Sequence, residues 1–374
     1  MILIFLRMIF FGSCWRSDEQ RRCYRVAELR FVFRADSSRE IGSGHVMRCL
    51  TLADFLAALG NRCAFLCRSA PGDLIDEIGR HGHTAMQMSP IAAQPTMSES
   101  EDARASKEAI SGLAIDWLVV DHYGLGIEWE QALRPRARNL LVIDDVGRDH
   151  ECSLLLDQNF PNPMHDRYRR TLADAKLLIG PQYALLRADF SISRPAALRR
   201  RTGACNRFLV SMGGSDPSNA TAKALAGLES VWQEGWQVDV IVGAGNPHRE
   251  SIESSCSHRP AMTLHVQASN MAQLMTVADC AVGAGGSTTW ERCCLGLPSL
   301  VSILSIDQLS IATAVAQAGA QSLVGWDQEV TVADYTREIS ALTSTRLRAM
   351  SGSAAKICDG LGSSRVAARL QRGM

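Results

Sequence analysis

Three stretches of the chain bring together residue types that can do chemistry. In Phe33–Leu52, FRADSSREIGSGHVMRCLTL, a strand ends at about Arg34 and Ile41-Gly42-Ser43-Gly44-His45 opens a helix. Glycines let the backbone approach a ligand and adopt positive φ. His45 falls in the first helical turn, where the positive end of the helix dipole favours a neutral imidazole. A neutral imidazole in a cleft is a usable general base; a capping or packing histidine is the alternative. The stretch is neither G-x-G-x-x-G nor a P-loop, since no Gly-Lys-Ser/Thr follows. In Leu209–Asn219, LVSMGGSDPSN, a strand runs into Gly213-Gly214-Ser215-Asp216 before a helix, an arrangement suited to an anion. In Ala281–Leu300, AVGAGGSTTWERCCLGLPSL, Gly285-Gly286-Ser287 leads into a helix carrying Glu291 one turn further in. Loop and helix amides there suit a diphosphate, and Glu291 suits ribose hydroxyls; a solvated helix carboxylate is its alternative.

Smaller features surround these. Asp121-His122-Tyr123-Gly124 closes the apolar run Trp117–Val120, and Asp144-Asp145 closes Leu140–Ile143. Paired carboxylates can bind a metal or transfer protons, but a strand-end Asp more often caps the following turn. Asp307-Gln308 opens another helix, where Gln308 can hydrogen-bond a sugar or phosphate. Trp117, Trp129, Trp232 and Trp236 read as packing residues, not as a stacking ladder for single-stranded nucleic acid.

The elements that must position these residues alternate between short apolar runs and helix-length segments. Strands are expected at Leu29–Arg34, Cys63–Cys67, Trp117–Asp121, Leu140–Ile143, Phe208–Ser211, Val238–Val242, Thr263–Val266, Cys280–Gly283 and Ser299–Ile303. Helices are expected at His45–Leu59, Leu74–His81, Glu128–Leu133, Asn219–Ser230, Met271–Thr276, Thr288–Leu295, Gln308–Gly319 and along the tail from Val332 to Gln371. Residues 84–110 read as a long loop plus a helix. Such alternation predicts right-handed βαβ units and open parallel sheets. The pattern pauses at Phe190–Asn206, where Pro195 and Arg199-Arg200-Arg201 suggest a solvated linker. Two doubly wound α/β halves facing a central cleft follow, with ligands outside the carboxyl ends of the strands. The expected parts are residues 28–192, a linker at 193–206, and 207–374 with its C-terminal helices.

Composition narrows the function classes. The 374 residues, 46% hydrophobic and 21% charged, describe a globular chain rather than a disordered or fibrous one. The length predicts two domains at roughly 100–200 residues each. Lys plus Arg and Asp plus Glu both total 39, which argues against a strongly basic nucleic-acid or anionic-membrane binder. The twelve cysteines form no C-x-x-C and no zinc-finger spacing with histidine; they read as reduced core thiols of a cytoplasmic protein. Residues 1–11 are apolar but interrupted by Arg7, short of the roughly 20 residues of a membrane span and without a signal-peptide cleavage site. Residues 1–27 are expected to be a disordered extension or an upstream start.

Arg34-Ala35-Asp36-Ser37-Ser38-Arg39-Glu40-Ile41-Gly42-Ser43-Gly44-His45-Val46-Met47-Arg48 resembles the opening motif of the UDP-2,4-diacetamido-2,4,6-trideoxy-β-L-altropyranose hydrolase family of pseudaminic acid biosynthesis. Asp121–Gly124, Asp144-Asp145, Tyr183–Arg187 and Met212–Asp216 resemble that family in the same order, over about residues 29–325. The third loop is also similar to the nucleotide-sugar site of the peptidoglycan N-acetylglucosaminyltransferase, in which Glu291 matches the ribose-binding glutamate. Trp290 and Asp307 depart from the family pattern.

The resemblance implies a GT-B fold and metal-independent hydrolysis with inversion, without cofactor, releasing UDP and the free diacetamido-trideoxy sugar for a sialic-acid-like surface glycan. It puts the catalytic histidine at His45. The expected substrate contacts are Asp36, Gly44, Arg48, Tyr123, Gly213, Gly214, Ser215, Asn219, Gly286, Ser287, Thr288, Glu291 and Gln308. The partners expected are a UDP-sugar and water, with no nucleic acid, no membrane insertion and no obligatory protein. Two rivals stay open: a GT-B glycosyltransferase acting on a UDP-N-acetyl sugar, and a non-catalytic nucleotide-sugar binder.

Overall fold

The structure, a computed structural model, describes residues 28–88, 98–160, 168 and 175–372. The expectation for residues 1–27 lies outside the described residues. The chain forms two compact units. Unit 1 comprises the chain up to Leu185 together with the segment from Gly362, and unit 2 is Leu186–Leu361.

Unit 1 is built on a seven-stranded sheet of β1 (Arg30–Arg34), β2 (Arg62–Arg68), β3 (Thr84–Met88), β4 (Trp117–Val120), β5 (Asn139–Ile143), β6 (Leu154–Asp157) and β7 (Lys176–Ile179). Its order is β3-β2-β1-β4-β5-β6-β7, and the neighbouring strands pair in parallel. Unit 2 carries β8 (Arg207–Ser211), β9 (Gln237–Val242), β10 (Met262–Val266), β11 (Cys280–Ala284), β12 (Ser299–Ile303) and β13 (Ser322–Trp326). Their order is β10-β9-β8-β11-β12-β13, again parallel. β4 (WLVV), β11 (CAVGA) and β12 (SLVSI) are buried along their whole length, as strands packed on both faces must be. Each sheet reverses its winding once, between β1 and β4 and between β8 and β11. Loops leaving the two strands at such a switch point diverge to opposite faces and leave a crevice.

Each unit has its own core. Val32, Leu118, Trp129, Leu155 and Ile179 share one cluster, and Phe208, Val240, Val282, Leu300 and Tyr335 share the other. Trp117 and Trp129 are fully buried, and Trp236 packs on Phe208 at 4.7 Å between ring centroids and on Trp232 at 6.0 Å. The described cysteines are all free thiols and most are buried. Among the described residues no helix is long and apolar enough to cross a membrane.

The structure corrects the expected linker. Residues Ala188–Arg200 form a helix with Pro195 inside it; Arg199 and Arg200 at its end are exposed as expected, whereas Arg201 is partly buried. Arg201 donates to the carbonyls of Met275 at 2.9 Å and Leu295 at 3.1 Å, as well as that of Ala278. Arg194 donates to Ala355 O at 2.6 Å and Cys358 O at 2.8 Å. These arginines satisfy carbonyls at helix ends, which have no partner within their own helix.

The tail also divides differently. It forms three helices, Val332–Ser340, Ser344–Ile357 and Gly362–Gln371. Thr331 caps the first in a capping box with Asp334, and Thr343 caps the second. The last belongs to unit 1 and packs on the helix Gly44–Ala58 that carries His45. Strands β3, β6, β7 and β13 were not expected; β3, β7 and β13 are sheet edges, where one flank lacks the neighbour that favours a continuous apolar run.

Candidate active site

In unit 1, β1 and β4 pair so that Arg34 lies opposite Val120, and the segments leaving them at the switch point bring His45 to Asp121. His45 Nδ1 is 2.6 Å from Asp121 Oδ1; the two residues are 8% and 0% exposed. Arg48 lies three residues along the same helix and so shares the face of His45. Its Nη2 donates to Asp121 Oδ1 at 2.6 Å, its Nε to Asp121 Oδ2, and its Nη1 to Asp145 Oδ2 at 2.8 Å. Tyr123 donates to Asp145 Oδ1 at 2.8 Å, and its ring stands edge-on to the His45 ring at 4.6 Å.

Burial opposes the charge on Asp121, but Arg48 and His45 overcome it and hold the carboxyl well below the usual range. An ionised Asp121 accepts from Nδ1, so a neutral His45 has its lone pair on Nε2; the tautomer follows from the hydrogen-bond network. Desolvation and the Asp145 charge push the Tyr123 phenol up, so it stays a neutral donor. Asp121 was not among the expected site residues. Its signal was the strand-end DHYG motif, but its partner became visible only with the strand order.

The two carboxylates after β5 divide their work. Asp144 binds the turn that follows, accepting from Gly147 N at 2.7 Å and Arg148 N at 3.1 Å, as a strand-end Asp commonly does. Asp145 instead holds Arg48 and Tyr123. Behind them, fully buried His150 places Nδ1 2.6 Å from Glu130 and Nε2 3.5 Å from Asp144. Burial disfavours its charge, but the two carboxylates outweigh this and raise it to about 9.

Asp36 and Arg48, expected as substrate contacts, are engaged within the protein. Both Asp36 oxygens lie on Arg34, at 2.7 and 2.8 Å, and Oδ1 also accepts from Arg68 N at 2.8 Å. His122 Nε2 stands 3.4 Å from Asp36 Oδ2. Arg34 and Arg68 both reach Asp102 as well, at 2.7 and 2.9 Å, closing a buried four-charge cluster behind the site. Gly44 is exposed and begins the His45 helix, with open space where a side chain would stand.

In unit 2, the segments after β8 and β11 meet at the second switch point, where Ser211 lies opposite Gly283. The first loop is wound through left-handed backbone: Gly213 at φ +92°, Asp216 at +38° and Asn219 at +55°. Non-glycine residues hold such angles only when their surroundings enforce them. Here Asp216 accepts from Ala220 N at 2.8 Å and Thr221 N at 3.0 Å, and Asn219 from Ala222 N at 3.3 Å. Asn219, expected to touch substrate, thus caps a helix. Gly213, Gly214 and Ser215 stay exposed. Gly243, which the sequence did not single out, backs this loop: a Cβ there would stand 2.5 Å from Gly214 O.

The second loop is clasped by Gln308, whose Oε1 accepts from Gly285 N at 3.2 Å and Leu304 N at 3.1 Å. Ser287 is exposed, and Gly286 and Thr288 are partly so. Glu291 follows, and its carboxylate forms no hydrogen bond or ion pair among the described residues. Burial, only partly offset by Arg187, raises its carboxyl to about 7. Trp290 is 1% exposed and belongs to the core, while Asp307 is exposed and gives the next helix no side-chain cap. Among the described residues no cluster of His, Cys, Asp and Glu side chains is arranged to hold a metal ion.

Two doubly wound parallel units, each with glycine-containing loops at its switch point, define the GT-B fold class. The chain superposes on the crystal structure of MurG from Acinetobacter baumannii with a TM-score of 0.65 at 16% identity, covering 92% of this chain and 100% of that one. Residues 208–361, within unit 2, match the family model of the glycosyltransferase family 28 C-terminal domain. In sequence the chain is similar to the UDP-2,4-diacetamido-2,4,6-trideoxy-β-L-altropyranose hydrolase of Campylobacter jejuni, 24% identical over 78% of this chain and 97% of that protein. It is also similar to the spore coat polysaccharide biosynthesis protein SpsG of Bacillus subtilis, 26% identical over 90% of this chain and 96% of that one. The resemblance read from the motifs is therefore one that whole-chain similarity shares.

Proposed function

We propose that the chain is a nucleotide-sugar hydrolase that cleaves UDP-2,4-diacetamido-2,4,6-trideoxy-β-L-altrose to UDP and the free sugar, a step of pseudaminic acid biosynthesis. The observation that carries this reading is the His45–Asp121 pair at 2.6 Å, which leaves His45 Nε2 as the acceptor for a proton. Water attacks the anomeric carbon, its proton passes to Nε2, and the sugar–phosphate C–O bond breaks with its electron pair leaving on UDP. Attack opposite the leaving group inverts the anomeric centre. Asp121 stabilises the imidazolium that forms, and Arg48 and Asp145 keep Asp121 and Tyr123 in place.

Unit 2 supplies the nucleotide contacts. Gly213–Ser215 and Gly286–Thr288 offer exposed amides and hydroxyls to the diphosphate, and Glu291 accepts from the ribose hydroxyls. Amides fixed in advance stabilise charge on the leaving group without reorganising. The step uses no metal and no cofactor.

A glycosyltransferase is the second reading, favoured by the family 28 match over residues 208–361. In that case His45 would take the proton of an acceptor hydroxyl. One experiment separates the two: incubation with a panel of UDP-diacetamido-trideoxy sugars in the absence of acceptor, with UDP release and the product anomer followed by NMR. Hydrolysis gives UDP and the inverted free sugar from the L-altro substrate. Release that requires an added acceptor overturns the hydrolase reading.

A further inference from the structure

Arg292 follows Glu291 in the helix Thr288–Cys294 and is 3% exposed. Its Nη2 donates to Ala284 O and Thr289 Oγ1, both at 2.9 Å, and its Nη1 to Thr288 Oγ1 at 3.1 Å. All three acceptors are uncharged, and Nε has no hydrogen-bond partner. Among the described residues no carboxylate stands within ion-pair distance of it. Two other buried arginines among the described residues are compensated: Arg34 and Arg68 share Asp102, and Arg34 also holds Asp36. A buried guanidinium without a counter-ion is costly to keep. Burial lowers this one only to about 10, so it remains a cation at neutral pH.

Its place gives that charge a use. Ala284, Thr288 and Thr289 are the two ends of the turn that presents Gly286, Ser287 and Thr288. A Cβ on Gly283 would lie 3.2 Å from Arg292 Nη1, so the absence of a side chain there leaves room for the guanidinium beneath the turn. In so dry a setting a unit charge acts over a longer range than it does in water.

We propose that Arg292 is a positioning residue for a nucleoside diphosphate: it ties both ends of the Ala284–Thr289 turn from below, and the bound phosphates supply the close counter-charge that no carboxylate at ion-pair distance gives it. This rests on the reading that the turn holds the diphosphate of UDP. Arg292 acts through the turn and does not itself touch the ligand. A role confined to holding the backbone would be insensitive to the ligand's phosphates; the charge role is not.

The test is a titration of the full chain and of R292K and R292M with UDP, UMP and uridine by calorimetry, at low and high salt, with the melting temperature of each ligand-free protein. The expected result is that R292M loses UDP affinity by about tenfold or more, UMP affinity by less, and uridine affinity by no more than about twofold. R292K, which keeps the charge, recovers most of the UDP affinity, and R292M melts no lower than wild type. UDP affinity unchanged in R292M, or UDP and uridine lost in parallel in both variants, overturns the proposal while leaving UDP binding itself standing. Wild-type protein that binds no UDP overturns the reading on which the proposal rests.

Discussion

His45 Nδ1 and Asp121 Oδ1 stand 2.6 Å apart although 76 residues separate them along the chain. One residue comes from the first turn of a helix after β1 and the other from the end of β4; only the reversal of strand order at that seam makes them neighbours. The pair gives the imidazole a fixed ring orientation and a defined tautomer, which a helix N-terminus alone does not.

Replacing His45 by Asn should reduce UDP release by about 10²–10⁴-fold, the usual worth of a positioned general base. Asp121→Asn should also reduce UDP release, by less than H45N and chiefly in kcat, since an amide can orient the ring but not stabilise its cation. Steady-state UDP release by wild type and both variants is the measurement, with circular dichroism as the check on folding. Near-full activity in H45N would remove His45 from the mechanism.

If Glu291 holds the ribose as proposed, UDP binding depends on pH. Burial raises its carboxyl to about 7 in the folded protein, above the ordinary 4.5, and on the proposed reading it would accept from ribose hydroxyls best when ionised. UDP affinity should therefore fall as pH drops from 8 to 6 by more in wild type than in E291Q, which controls for titration of the nucleotide. At pH 8, E291Q should bind UDP about tenfold or more weakly, the usual scale for losing hydrogen bonds to a charged group. Without ligand the sign reverses. The native state keeps a proton that the unfolded chain gives up between 4.5 and 7, so Glu291 subtracts stability as pH rises through that window. E291Q should then melt above wild type at pH 8.

His150 predicts loss of stability in alkali. Its folded value, about 9, lies above the ordinary 6.5. The stabilisation of its cation by Glu130 and Asp144 is thus fully present below about 6.5 and lost as pH rises through about 9. Wild type should show a fall in melting temperature between pH 7 and 9.5 that H150Q lacks. An identical slope in both proteins would count against a charged His150.

The proposed metal-independent hydrolysis makes a simple prediction. UDP release should be unaltered by a chelator and by added Mg²⁺, followed in the same assay. A stimulation by Mg²⁺ that the chelator abolishes would contradict it.

Much of this arrangement was legible in the chain. The runs at β1, β4, β11 and β12 are apolar because helices cover both faces, and each ends in the polar or glycine-containing loop that carries a candidate residue. The relations that depend on strand order were not legible. Asp121 as the partner of His45, and Gly243 behind Gly214, follow from a β1–β4 and a β8–β9 adjacency that no local pattern announces. Edge strands also escaped: Thr84–Met88 reads TAMQM and Ser322–Trp326 reads SLVGW, each only half-buried. Ala188–Arg200 was misread because Pro195 and three arginines resemble a linker, yet Phe190 and Ala197 are fully buried on it.

The return of the chain to unit 1 at Gly362 also orders its synthesis. Residues 186–361 leave the ribosome as one uninterrupted block with every strand of their sheet. Unit 1 begins earlier but receives its last helix later, and Val366, Ala367 and Leu370 in that helix are completely buried. The half whose strands are made first therefore waits for the segment from Gly362, and until that segment has been made the helix bearing His45 lacks one of the surfaces that pack on it.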